Sequence, residues 1–113
     1  MEEVLLKNAE EFYLSGEDNL LKKRFNAAYS DFFKALVIFC DYLIYNQIKR
    51  LPKNHVDRFI LLESYFSEIY KGVSEFFKEY TFSYNSIIVE KEVIKLKKYV
   101  AEIQELVRNK KRA

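Results

Sequence analysis

Glycine occurs only twice and proline once in 113 residues, which leaves little material for the tight turns on which sheet proteins depend and argues against a β fold. There is no tryptophan, one cysteine and one histidine. A zinc site with four Cys and His ligands therefore cannot be assembled within one chain, and neither a metal nor a cofactor is expected. The single cysteine also forbids an internal disulfide, which fits a reducing compartment. With Ile38, Phe39 and Ile44 near it, Cys40 is expected to be a buried thiol acting as a small apolar group. No glycine-rich phosphate loop, G-x-S-x-G elbow or H-E-x-x-H motif is present, so the common NTPase, hydrolase and metalloprotease readings have no support. A strong charge of either sign is missing too. The formal net charge of +2 is too small to imply nucleic-acid or membrane binding by itself. No apolar run reaches the roughly 18 residues of a membrane span, and the start, MEEVLLKNAEEF, is acidic where a signal peptide needs to be basic. The expected location is cytoplasmic.

What the chain does have is a composition that packs. Half of the residues are hydrophobic and 32% are charged, in helix-length alternation, so one compact all-α domain is expected, an up-and-down bundle of four to five helices. That domain is expected to span 1–107, followed by a basic tail at 108–113 with Arg108, Lys110, Lys111 and Arg112. A tail of this kind is either a solvated end or a phosphate-binding arm.

Spacings of three and four place Leu5, Ala9, Phe12, Tyr13, Gly16 and Leu20 on one face of a first helix from Glu2 to about Lys23. Gly16 is a candidate break, but removing it would split a stripe that is in phase, so a continuous helix with a close contact at the glycine is expected. A second helix, with Asn26 as its cap and an end near Arg50, has two apolar faces and only a narrow polar stripe through Ser30, Asp31, Lys34, Asp41 and Lys49. Such a helix is either central in its domain or shared with a partner chain. Pro52 ends it, Asn54 caps a third helix from His55, and Ser67 with Glu68 marks a fourth running to about Tyr80. Thr81–Ser86 reads as a loop. Val89, Val93, Leu96, Val100, Ile103 and Val107 then form a heptad-like stripe that fits packing on the bundle or a dimer seam.

The remaining constellation is Arg50-Leu51-Pro52-Lys53-Asn54-His55, in which four residues separate a phosphate-holding guanidinium from an imidazole that moves protons near neutral pH. Arg58, one turn after His55, either reinforces an anion site or pairs with a carboxylate such as Glu63. His55 itself also suits a purely structural place at a helix start. The aromatic run Phe76, Phe77, Tyr80, Phe82 and Tyr84 fits a core or a base-stacking surface.

The spacing Arg-x(4)-His resembles the ribonuclease signature of the HEPN superfamily. The run NAAYSDFFKALVIFCDYLIYNQIKRLPKNHVDRFILLE, Asn26 to Glu63, is similar to the central helix pair of small stand-alone archaeal HEPN-like proteins. One position departs, since active members usually carry a polar residue directly after the arginine, where this chain has Leu51 and Pro52. The resemblance implies a homodimeric interaction module directed at RNA or at a small nucleotidyltransferase partner, as in a toxin–antitoxin pair. It also implies metal-independent endoribonuclease chemistry with Arg50 and His55 as catalytic residues and Lys53 and Arg58 as RNA- or phosphate-binding residues. A reading from a different class is a non-catalytic structural or regulatory helical protein that binds another polypeptide.

Overall fold

The computed structural model describes residues 1–112 and contains five helices: α1 (Glu2–Leu21), α2 (Phe25–Ile48), α3 (His55–Tyr65), α4 (Ser67–Phe82) and α5 (Glu90–Arg112). Ala113, the last residue of the expected tail, lies outside the described residues. Hydrogen bonds from Asn46 to Glu2 and from Ser15 and Asn19 to Asp31 run α1 and α2 antiparallel. Asn26 meets Ile88 and Phe39 lies beside Val107, so α5 runs parallel to α2. Tyr99 donates to the Ile69 carbonyl and Lys110 sits over the Phe66 ring, which makes α4 antiparallel to α5. The four long helices thus alternate in direction, and the short α3 is inserted between α2 and α4. Among the described residues no helix is long and apolar enough to cross a membrane.

The two apolar faces of α2 have a simple destination. Tyr29, Phe32, Phe33, Leu36, Phe39, Cys40, Leu43 and Ile44 are all buried within the single chain, because the other helices surround α2. It is the central helix, and its apolar surplus no longer requires a second copy. Most of the heptad stripe is likewise spent inside the bundle, with Val93, Leu96, Val100, Ile103 and Val107 buried, while Val89 lies before α5 and is exposed. Cys40 is fully buried as expected, and burial pushes its thiol far above the usual range, which removes the thiolate that reactivity needs.

Helix α1 is continuous through Gly16, which is buried. A Cβ there would stand 2.8 Å from the Phe32 ring, so the glycine is what lets α1 approach α2 this closely. Helix α1 stops at Leu21, short of the expected Lys23, because Lys23 turns into the left-handed region at φ 60° to start the return into α2. Helix α2 ends at Ile48 in the same way. Lys49 is its left-handed cap at φ 57°, which leaves Arg50 beyond the helix.

Three further boundaries differ from expectation. The cap position of α2 is Arg24, not Asn26, which lies inside the helix. Ser67 does not cap α4; Phe66 holds the cap position with no side-chain hydrogen bond. Helix α4 also continues through Thr81 and Phe82, where the Thr81 hydroxyl donates back to the Lys78 carbonyl at 2.8 Å. Beyond Val107, α5 keeps its helical path through Arg112. Arg108 pairs with Glu105 on the surface at 3.7 Å.

Asn26 instead fastens the α4–α5 connection to α2. Its Nδ2 donates to the carbonyls of Ser83 at 2.8 Å and Ser86 at 2.7 Å, and its Oδ1 accepts the Ile88 N–H at 2.8 Å. Asn26→Ala orphans all of these backbone groups. The expected loss is about 2 kcal/mol, within the range for stranded polar groups, and urea unfolding will measure it. Asn26→Asp should fare no better, because a carboxylate would face two carbonyl oxygens it cannot donate to.

Candidate functional site

Asn54 builds the start of α3. Its side-chain oxygen accepts the Asp57 N–H at 2.9 Å, the cap that the sequence led us to expect. Asp57 in turn binds back across the corner, accepting the Lys53 N–H at 2.9 Å and the Arg50 guanidinium at 3.0 Å. These contacts, the Lys53 amide first and the Arg50 side chain next, hold the Asp57 carboxyl below the usual carboxylate range. Arg50 is therefore engaged with Asp57 on the outside of the corner. Lys53 contributes its backbone here, while its side chain is exposed.

His55 faces the other way. Together with Asn54 and Arg58 it borders a cleft of about 450 Å³ floored by Val37 and Ile38 and walled by Phe12, Phe33, Lys34 and Tyr80. Elements α1, α2, α3 and α4 all contribute a wall. The imidazole lies 5.3 Å from the Phe77 ring and 6.4 Å from that of Phe59, and the Phe33 and Tyr80 rings stack at 4.6 Å. Lys34 extends its ammonium over Phe12 at 5.6 Å from the ring centroid, a cation–π contact that keeps the charge at the cleft.

Arg58 does not pair with Glu63. Its Nε and Nη2 form a two-pronged bridge to Asp41 of α2, at 2.6 and 3.0 Å, with the side chains only 13% and 14% exposed. The remaining prong, Nη1, meets His55 Nδ1 at 2.8 Å. A guanidinium has only donors. Nδ1 must accept, and the neutral ring carries its proton on Nε2. Burial first, and then the Arg58 charge, lower the His55 pKa from its ordinary value, with Asp41 opposing.

The sequence motif is thereby divided by the fold. His55 and Arg58 come together at the cleft; Arg50 and Lys53 are on the Asp57 side of the corner. Asp41, Lys34 and Phe12 join the site without having been singled out for it, and Tyr80 comes from the aromatic run that the sequence offered as a core or base-stacking surface. Asp41 had a visible signal, a carboxylate in the narrow polar stripe of a mostly apolar helix, but nothing local named its partner 17 residues away. Among the described residues no group of His, Cys, Asp and Glu is arranged to hold a metal.

No protein-family model, curated protein or solved structure matches the chain.

Proposed function

We propose that this chain is a HEPN-like interaction module that acts as a homodimer directed at RNA, with metal-independent phosphodiester cleavage at His55 as its activity. The observation that carries the reading is the cleft itself, which sets Lys34, Arg58 and the His55 imidazole among the aromatic residues Phe12, Phe33 and Tyr80. Cations interleaved with aromatic rings suit single-stranded nucleic acid, whose phosphates and bases need both. A small nucleotidyltransferase is the partner that the HEPN resemblance adds.

Cleavage through a 2′-hydroxyl needs a base, an acid and a cation to stabilise the phosphate. One chain supplies one imidazole, so a two-fold dimer that joins two corners would provide both proton carriers. His55 is exposed, as that arrangement requires. Arg50 would join the phosphate only after leaving Asp57, and Lys53 is free to follow the backbone from the rim. Light scattering that finds only monomer at micromolar and higher concentration counts against this dimer.

Two measurements test the proposal. Lys34→Ala should weaken binding of a single-stranded oligoribonucleotide and reduce the salt slope by about one; an unchanged slope removes Lys34 from the interface. In chelator-treated buffer, His55→Ala should reduce RNA cleavage by about 100-fold or more. Equal turnover, or none in the wild type, brings forward the second reading, a non-catalytic module that binds another polypeptide. That reading is favoured by Val56 and Ile60, 69% and 57% exposed one turn apart on α3, an apolar strip that the monomer leaves uncovered.

A further inference from the structure

The contact between Arg58 and His55 has an unusual polarity. A histidine that serves as a base commonly has its far nitrogen held by an acceptor, which fixes the proton there and leaves the working nitrogen with a lone pair. Here a donor holds Nδ1 at 2.8 Å, and that donor is itself fixed by two bonds to Asp41. The lone pair of the imidazole is consumed inside the protein, and Nε2 presents an N–H. His55 in this state donates; it does not accept a proton.

We infer that Asp41 and Arg58 are positioning residues that keep the His55 proton on Nε2 in the free protein, and that a phosphate group entering the cleft takes over the Arg58 Nη1 donor and frees Nδ1 to accept a proton from water. The inference rests on reading the cleft as a phosphate site. Its physical basis is a competition. A phosphate oxygen is a charged acceptor and outbids a neutral imidazole for a guanidinium N–H, while Asp41 retains Nε and Nη2 so that Arg58 keeps its place. The freed imidazole then loses a neighbouring cation as a direct contact and gains an anion, and both changes favour its protonated form. Binding and proton uptake are coupled, so phosphate should bind more tightly as pH falls toward and below the His55 pKa.

The charged and titratable groups facing His55 are few: Arg58 on α3, Asp41 and Lys34 on α2, and Tyr80 on α4; α1 contributes the uncharged Phe12. Tyr80, with its pKa raised, stays neutral through the range where a histidine titrates. The coupling is therefore readable on one group. His55 is the only histidine in the chain, so its imidazole signals in a nitrogen-15 NMR spectrum need no assignment by mutation.

The test is a pH series of those signals in the whole chain, first alone, then with inorganic phosphate, then with a single-stranded oligoribonucleotide. Alone, the ring should show the Nε2–H tautomer; the Nδ1–H form or an even mixture would overturn the lock. Saturation with either probe should raise the His55 pKa by about one, a tenfold gain in proton affinity. A shift with inorganic phosphate supports the release for phosphate as such, and one seen only with the oligonucleotide supports it for a nucleic-acid backbone. An oligonucleotide that binds and leaves the titration unmoved overturns the release while sparing the RNA reading. If neither probe binds, the RNA reading and the release both fall, and the tautomer stands by itself. Arg58→Gln should abolish the tautomer preference and raise the pKa of the free protein; persistence of a pure Nε2–H form would overturn the role of Arg58. Should that variant fail to fold, the charge-neutral Asp41→Asn/Arg58→Gln double variant makes the same comparison.

Discussion

Phe32→Ala is expected to destabilise the protein by about 3–5 kcal/mol, the cost of removing a fully enclosed aromatic side chain. The Phe32 ring is fully buried. It stands edge-on to Tyr13 with centroids 5.3 Å apart and covers Gly16 of α1. Truncation leaves a void that the surrounding packed helices close only in part. Against a typical total stability of about 5–15 kcal/mol, such a loss removes a substantial fraction of the stability and lowers the unfolding midpoint accordingly. Urea titration will measure it, and an unchanged slope will show that the folded and unfolded ensembles are otherwise comparable.

Gly16→Ala supplies the companion measurement. In the wild type the new methyl meets the Phe32 ring, and the overpacking cost of about 1–3 kcal/mol exceeds the roughly 1 kcal/mol that alanine gains in helix propensity. In a Phe32→Ala background that obstacle is gone, so the same substitution should become stabilising. The reversal of sign is the expected coupling between neighbours in contact. Independent, additive effects would mean that Gly16 is there for some reason other than the ring.

The second large effect is expected at Asp41. Removing its carboxylate strands the Arg58 guanidinium, 13% exposed, between α2 and α3. Breaking a buried pair from one side costs about 3–5 kcal/mol, and here the lower end is expected, because a little exposure lets water reach the freed charge. Asp41→Leu with Arg58→Met should recover most of the loss, since replacing both charges by apolar groups of similar volume leaves nothing orphaned. A double variant as unstable as Asp41→Ala would show that the bridge does more than neutralise itself. The pH dependence runs in a definite direction. His55 titrates lower folded than unfolded, so the unfolded chain takes up its proton first. The contribution of His55 to stability is therefore complete above its ordinary pKa near 6.5 and is lost as pH falls from there through its folded value. Asp57, also lowered, loses its contribution further into acid, from the ordinary carboxylate range downward.

Much of this architecture was legible along the chain because its causes are local. The three-and-four spacing of Leu5, Ala9, Phe12 and Gly16 fixed one buried face and carried α1 through a glycine. Asn54 set the start of α3 by a three-residue hydrogen bond, and Pro52 keeps Leu51 out of helical geometry, although α2 has already ended at Ile48 through the left-handed Lys49. The surplus of apolar residues on α2 announced a central helix, although whether other helices or a second chain would cover it was open.

Tertiary structure decided everything that depends on which distant groups meet. Asn26 has the side chain of a cap, and its sequence neighbours cannot reveal carbonyls more than fifty residues away that hold it more firmly. Arg58 had several carboxylates within reach of its sequence, and the crossing of α3 over α2 selected Asp41. The corner from Arg50 to His55 reads as one motif in the chain, yet the turn that Pro52 and Asn54 impose directs Arg50 to Asp57 and His55 to the cleft. Periodicity and capping act over one or two helical turns, so the sequence states them directly. A side-chain hydrogen bond between helices depends on the rotation and crossing of both, and those are set only when the whole core closes.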